Sequence, residues 1–440
     1  METVKLGDVV RLVKRAVEPE AGQTYRQAGV RLWGAGAYER DTIDGGDTKY
    51  KYFYQIREGD LIVNKIWARN GSVAVVPPNL DGCFVSSEFP TFEADPSKVS
   101  PEWLGWVARS ALLWDQFSDR SHGTSGKNRI QPKKVLASTI PLPSLDEQVS
   151  RSATVRSLTR LADGVRERFE QQSADLDALR GRILDDAVRG RLTERDPNDE
   201  PAEALLARIA EEKQRRYEAG EIRKPKRLPP MLEVGRSDQQ AKRWKWARLG
   251  DIVLDLQTGP FGSALGKSDY VAGATPVVNP TNIVDGAIVA DHGKTVADPT
   301  LERLGSYKLR EGDIVIARRG EMGRCAVVTE REAGWLCGTG SFFVRLPEGL
   351  ESRYLALFIR SPRTRRALEG DSVGSTMTNL NQRIFRSLPL LLPSSEEQRR
   401  IVARVDALLA LCDRLAARLV AARADAERLA QTVLADALTA

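Results

Sequence analysis

The feature that most constrains this 440-residue chain is that its second half repeats its first. Leu6-Gly7-Asp8-Val9-Val10 returns as Leu249-Gly250-Asp251-Ile252-Val253, and Arg57-Glu58-Gly59-Asp60-Leu61-Ile62-Val63 as Arg310-Glu311-Gly312-Asp313-Ile314-Val315-Ile316. Pro143-Ser144-Leu145-Asp146-Glu147-Gln148 returns as Pro393-Ser394-Ser395-Glu396-Glu397-Gln398. The offsets are 243, 253 and 250 residues, so the copies share a skeleton but carry loops of different length. A scaffold built twice, with loops that differ, is what two readers of different surfaces require.

After each proline the register runs without a gap. Val155, Leu158, Ala162, Val165, Phe169, Gln172, Leu176, Leu179 and Ile183 alternate spacings of three and four. Their partners at an offset of 250 are Val405, Leu408, Cys412, Leu415, Leu419, Ala422, Ala426, Leu429 and Val433. Such spacing predicts a coiled-coil seam between two long helices. The alternative is two amphipathic helices, each packed on its own domain core. The charged faces, with Arg166, Glu167, Arg168 and Glu170 in one and Arg414, Arg418, Arg423 and Glu427 in the other, leave one narrow apolar stripe per helix and favour pairing. Ser144 and Ser394 stand three residues before Glu147 and Glu397, which is capping-box spacing. Gly190 after Arg189 reads as the stop of the first helix.

The layout that follows is α+β: two similar strand-rich domains separated by an antiparallel coiled coil, with a pseudo-two-fold internal repeat. The first domain spans residues 1–142 and the first long helix 143–190. A linker at 191–240 contains a short helix over 202–218 and a basic, proline-rich connector, Arg223 to Pro230. The second domain spans 241–392 and the second long helix 393–440. Strand signals at Asp60–Lys65 and Val73–Val76 flank Asn70-Gly71, a hairpin turn pair; Asp313–Arg318 and Cys325–Val328 are their counterparts. One helix is expected over Pro101–Phe117 and another over Ser352–Leu368.

Composition narrows the chemistry. The formal charge is +6, a mild basic excess compatible with a polyanionic partner. Cys83, Cys325, Cys337 and Cys412 form no C-x-x-C pair, and the histidines are only His122 and His292, which disfavours a disulfide framework or a metal site. The start, METVKLGDVV, lacks a signal-peptide pattern and no apolar run is long enough for a bilayer, so a cytoplasmic protein without a membrane partner is expected. Gly262-Ser263-Ala264-Leu265-Gly266-Lys267-Ser268 resembles a phosphate loop, but only three residues separate its glycines where four are needed. Val278-Asn279-Pro280-Thr281-Asn282 lacks the second proline and the aromatic of an amine-methylation motif. No complete catalytic constellation is present, so no catalytic residue is assigned.

The duplicated Pro141-Leu142-Pro143…Glu147-Gln148 and Leu391-Leu392-Pro393…Glu397-Gln398, each opening a long helix, carry a resemblance. So does the central phrase Gly190-Arg191-Leu192-Thr193 followed by Asp196-Pro197-Asn198-Asp199-Glu200-Pro201. The chain resembles, over essentially its full length, the specificity subunits of Type I restriction-modification systems. The resemblance implies a non-catalytic subunit in which each target-recognition domain reads half of a bipartite double-stranded DNA sequence. It implies two modification (methyltransferase) subunits that bring S-adenosylmethionine, and motor-nuclease restriction subunits that use ATP, with no cofactor held by this chain.

Base reading is expected on loops where the copies differ. The candidates are Lys65, Arg69, Asn70, Ser125, Lys127, Asn128 and Arg129 in the first domain. In the second they are Ser263, Lys267, Arg318, Arg319, Arg324, Thr376, Asn379, Asn381 and Arg383. Arginine suits guanine and asparagine adenine through paired hydrogen bonds, while lysine neutralises phosphate. Gly259-Pro260-Phe261-Gly262 reads either as a rigid loop approaching DNA or as a turn with Phe261 in the core. Residues 151–188 span ~57 Å as a helix, against ~34 Å per turn of DNA, so helix length is expected to set the gap between half-sites. Two rival readings are a self-contained methyltransferase or nuclease and a coiled-coil scaffold without a DNA role.

Overall fold

The computed structural model describes residues 2–121, 129–194, 196–224, 244–370, 380 and 382–439. They form two compact units, Met1–Gln171 with Leu419–Ala440, and Gln172–Arg418.

In the first unit β1 (Thr3–Lys5) is followed by β2 (Val10–Val13), β3 (Ala16–Val17), β4 (Thr24–Val30), β5 (Ala37–Asp44) and β6 (Phe53–Gln55). Then come β7 (Leu61–Val63), β8 (Val73–Val75), β9 (Phe84–Val85) and β10 (Thr91–Ala94). Helices α1 (Pro101–Ala108), α2 (Ala111–Arg120) and α3 (Pro132–Leu136) precede β11 (Thr139–Pro141) and the start of α4 (Leu145–Ala187). One antiparallel sheet has the order β2-β10-β7-β8; a mixed sheet, with β4 and β9 parallel, has the order β3-β6-β9-β4-β5; and β11 pairs back on β1. Strand β7 lies between two cores. Leu61 and Val63 pack with Phe92, Trp103 and Phe117, while Ile62 packs with Ile56, Leu80 and Val85. Because alternate strand residues face opposite ways, burial on both faces demands an unbroken apolar run, which is why this strand shows no polar alternation.

The second unit holds α5 (Ala202–Glu218), β12 (Lys245–Arg248), the single turn α6 (Leu249–Ile252) and β13 (Asp255–Thr258). Short strands β14 (Tyr270–Val271), β15 (Thr275–Val278), β16 (Ile283–Val284), β17 (Ala287–Ile288) and β18 (Thr295–Val296) precede α7 (Asp298–Arg303). Strands β19 (Ile314–Ala317), β20 (Cys325–Val327), β21 (Leu336–Cys337) and β22 (Ser341–Arg345) lead to helices α8 (Ser352–Arg360), α9 (Pro362–Gly370) and α10 (Gln382–Ser387). Strand β23 (Pro389–Leu392) and α11 (Ser395–Thr439) complete the chain order. The order β13-β22-β19-β20 and the pair β12-β23 repeat the first unit's skeleton. The remaining strands differ: β14-β18-β15-β21 and the ribbon β16-β17 replace the five-stranded sheet.

Two local expectations are corrected. The helix expected over Pro101–Phe117 is two helices, because the Ser110 hydroxyl accepts from the Leu112 amide at 3.1 Å and starts a new one. The helix expected over Ser352–Leu368 breaks likewise, where Ser361 accepts from the Thr364 amide and Pro362 opens α9. The hairpin expected around Asn70-Gly71 forms. β7 and β8 pair antiparallel, and a connection longer than that residue pair joins them, with a 3-10 turn at Ala68–Asn70 ended by Gly71 at φ +73°.

The long helices run antiparallel within each unit. In the second unit Arg180 of α4 bonds Asp413 of α11 at 2.7 Å, and in the first unit Glu170 acts electrostatically on Arg423. Numbers fall along one helix as they rise along the other. Of the expected seam, Val155, Leu176, Ile183 and Val405 are buried, and Leu158, Phe169, Leu408, Leu419 and Val433 are half-buried. Val165, Leu179, Leu415 and Leu429 are exposed, Leu429 at 64%, so the buried seam is narrower than the spacing predicts. A lone helix pair shields one line of contacts. Burial is deepest where a domain core adjoins the helix, as at Val155, which belongs to the first unit's main cluster.

The motif before each long helix is a structural staple. Gln148, fully buried, donates to the carbonyls of Lys98 and Pro143, and its Oε1 accepts from the Ser100 amide at 2.8 Å. Gln398 donates to Pro393 and accepts from the Glu351 amide at 2.8 Å. Ser100 and Glu351 are the N-caps of α1 and α8, so each glutamine ties a long helix to its own domain.

The second helix start has an added clamp. Ser394 caps it by accepting from the Glu397 amide, whereas Ser144 donates to the Glu147 carboxylate. Glu397 then accepts from Trp244 Nε1 at 2.8 Å, and Asp199 of the central phrase pairs with Arg400. The short helix α5 falls where the sequence places it. Its Lys213, nearly buried, donates to the carbonyls of Gly250 and Asp251, capping α6.

Candidate nucleic-acid interface

The hairpin β7–β8 and its counterpart β19–β20 end in loops that place the candidate residues. In the first unit the Lys65 amide donates to Glu88 O, and Lys65 O accepts from the Ile130 amide at 2.9 Å. In the second the Arg318 amide donates to Gly340 O, and Arg318 O accepts from the Leu380 amide at 3.0 Å. Lys65 and Arg318 therefore occupy the same backbone position in the two copies, at the mouth of the central hairpin. Such matching gives each copy one cation on the same surface while its surroundings differ.

Those surroundings do differ. Lys65 Nζ donates to Ser87 O at 2.5 Å, and Arg129 bonds Glu88 at 3.2 Å. Asn70 supplies its carbonyl to the Trp33 amide at 2.7 Å, and Arg69, half-buried, lies in the same 3-10 turn. The Arg318 guanidinium stands 5.0 Å over the Phe261 ring, and its Nε donates to Leu380 O at 3.3 Å. Burial, helped by the charge of Arg319, pushes Arg318 below the usual guanidinium range. A cation short of water and beside a like charge gains by meeting an anion or a base acceptor edge.

The turn before Phe261 is rigid. A β-carbon at Gly259 would fall 2.0 Å from Gly338 O, and one at Gly338 2.2 Å from Asn279 Oδ1. Phe261 is 57% exposed, so its ring lies outside the core, contrary to the reading that tucks it inside. Gln382 Nε2 bonds Thr258 Oγ1 at 2.9 Å, bringing the turn of Arg383 to the same edge. Arg319, Arg383, Ser263 and Lys267 are exposed, and Arg324 is half-buried, its Nε finding no hydrogen-bond partner among the described residues. Ser263 and Lys267 sit in separate 3-10 turns at Gly262–Ala264 and Lys267–Asp269, followed by strand β14. Ser125, Lys127, Asn128, Thr376, Asn379 and Asn381 lie outside the described residues.

Sequence reasoning missed Trp33 and Trp67, exposed at 66% and 46% beside the same hairpin mouth. The signal available was an aromatic residue within turn-forming sequence, Trp33-Gly34-Ala35-Gly36. Among the described residues no group of three or more metal-ligating side chains assembles, and no helix is long and apolar enough to cross a membrane. The four cysteines are buried and free, with the Cys325 thiol pushed up to about 12 by burial.

A family model described as the Type I restriction modification DNA specificity domain matches residues 241–421. Residues 241–421 thus carry the pattern of that specificity domain. The specificity subunit of the Type I restriction enzyme EcoEI of Escherichia coli is 29% identical over 350 residues, covering 78% of this chain and 57% of that relative. The EcoAI specificity subunit, also of Escherichia coli, is 29% identical over 262 residues, 58% of this chain and 43% of its own length. The chain thus spans about half the length of these curated relatives. The HsdS subunit of Thermoanaerobacter tengcongensis, a solved structure, is 21% identical with a TM-score of 0.51, covering 99% of this chain and 96% of that one. That likeness is one of fold alone, and it takes in residues of both units. The matched region begins just before β12 and ends within α11, so the family pattern takes in the second domain together with the helix that follows it.

Proposed function

We propose that this chain is the sequence-specific DNA-binding subunit of a Type I restriction-modification complex. In this reading residues 1–142 and 241–392 are target-recognition domains, each reading one half of a bipartite target. The subunit is itself non-catalytic and acts on double-stranded DNA in the cytoplasm. Two modification subunits supply S-adenosylmethionine and methyl transfer, and restriction subunits supply ATP-driven translocation and cleavage. The long helices and the segment 191–222 are the surfaces proposed for positioning those partners.

The observation that carries the reading is the equivalence of Lys65 and Arg318, one cation at one backbone position of a duplicated scaffold, each in different loops. Duplication supplies two readers, and loop divergence lets them read different bases. A self-contained enzyme would need a cofactor loop that the sequence lacks. A mere scaffold would have no need of a half-buried arginine stacked on an exposed phenylalanine at the hairpin mouth.

The test is duplex binding at fixed salt, using a sequence selected from a random duplex library on the full chain. Replacing Arg318 and Arg319 together by Ala is expected to weaken binding at least about tenfold and to relax one half-site, a paired arginine–base contact being worth ~1–3 kcal/mol. Unchanged affinity and unchanged half-site preference would remove these residues from the interface.

A further inference from the structure

We infer that Trp33 is a base-contacting side chain of the first domain, supplying an apolar contact that the cations of this surface cannot. The inference rests on the DNA-reading assignment above. Trp33 stands in the turn between β4 and β5 at φ +57°, a left-handed conformation that residues with a β-carbon rarely adopt. The surroundings hold it there. Its amide donates to Asn70 O at 2.7 Å, and the Gly34 amide donates to Gly71 O at 3.1 Å. The turn is thereby bolted to the connection that carries Lys65 and Arg69.

Both turns rest on one ring. Trp114, half-buried, is anchored by its Nε1 to Ala108 O at 2.8 Å and meets Trp33 edge-on at a centroid distance of 6.4 Å. A β-carbon added at Gly34 or Gly71 would lie 2.9 or 2.8 Å from Trp114. Glycine at both positions lets the backbones settle onto the indole. For all this support, the Trp33 ring remains 66% exposed. A large apolar ring, held rigidly outward at the cost of an unfavourable backbone conformation, contributes little to folding. Persistent strain of this kind at an exposed side chain points to a contact made outside the chain. On duplex DNA the apolar features within reach of a groove or an unstacked step are the thymine methyl and the base face.

The experiment uses the full chain, the selected duplex and a random duplex pool. Trp33→Gly suits the left-handed backbone, so the variant is expected to unfold at the same or a higher temperature than the parent. Its affinity for the selected duplex is expected to fall about five- to a hundredfold. Affinity for the random pool and the salt slope are expected to stay unchanged, because no charge is removed. Trp33→Ala is the second variant. Uracil in place of thymine, one position at a time, reproduces the loss at one position if the methyl is the contact and at none if the base face is.

If either folded variant binds the selected duplex as tightly as the parent, the inference is overturned. An equal loss on the random pool overturns it too, since the ring would then read no sequence. Lys65→Ala and the Arg318→Ala/Arg319→Ala pair are measured alongside. Loss of binding in those variants with none in Trp33→Gly refutes Trp33 alone; no loss in any of them removes this whole surface from the interface, and failure of the parent chain to enrich any sequence from the library refutes the DNA-reading assignment.

Discussion

At the residue scale the chain shows how burial, more than composition, decides what a charged group does. Lys213 belongs to an ordinary polar helix by sequence, yet its ammonium is nearly buried against the backbone of α6, and burial lowers its pKa to about 8. Lysine in the unfolded chain holds its proton up to about 10.4. Between about 8 and that value the unfolded chain binds more protons than the folded one, so this site's contribution to stability rises with pH across that window. Lys213→Met is expected to flatten the rise, as read from the difference between parent and variant in denaturant unfolding at several pH values. A difference that does not change from pH 8 to 10 would show that the ammonium is solvated. Composition suggested a basic protein; only the fold separates the cations spent on structure, such as Lys213, from those left at the hairpin mouth.

At the element scale the glutamine staples explain why the proline-to-glutamine motif recurs. The sequence marks the motif through its repetition, and capping-box spacing suggests a helix start. Neither tells that Gln148 and Gln398 reach back to the N-caps of α1 and α8, nearly fifty residues earlier in the chain. Each glutamine fills the same slot: acceptor to an N-cap amide, donor to the proline carbonyl. Gln148→Leu or Gln398→Leu leaves a buried amide and a buried carbonyl unpaired and is expected to cost ~1–3 kcal/mol. Urea unfolding measures it, and a loss below about half of one kcal/mol would mean that water enters the slot. The broken helices teach the same lesson at lower cost. Ser110 and Ser361-Pro362 were legible as helix starts, but apolar periodicity on either side made each pair look continuous.

At the scale of the whole molecule, two helices of 43 and 45 residues follow the two strand-rich domains without a linker. If they set the separation of the half-sites, adding one heptad to each lengthens the unread gap between them. Sequencing the methylated adenines in a host carrying the altered chain measures the gap directly. A constant gap would show that the separation is set elsewhere, and a lost modification pattern with a folded chain would show that the helices serve only assembly. The family match takes in the second domain together with the first part of the helix that follows it.

The sequence by itself determined the duplication, the long helices, the short helix at 202–218 and the paired central strands. These are properties of local period and of repetition, which a linear pattern records in full. The tertiary structure alone decided which seam residues are buried, because coverage depends on what stands opposite. The repeat already aligns Lys65 with Arg318 at an offset of 253 residues; the fold added that both sit in the same backbone hydrogen-bond pattern, each on a chain segment from a different loop. And it alone turned Trp33 outward: a left-handed residue is held there by hydrogen bonds from a turn almost forty positions away, which no local propensity encodes.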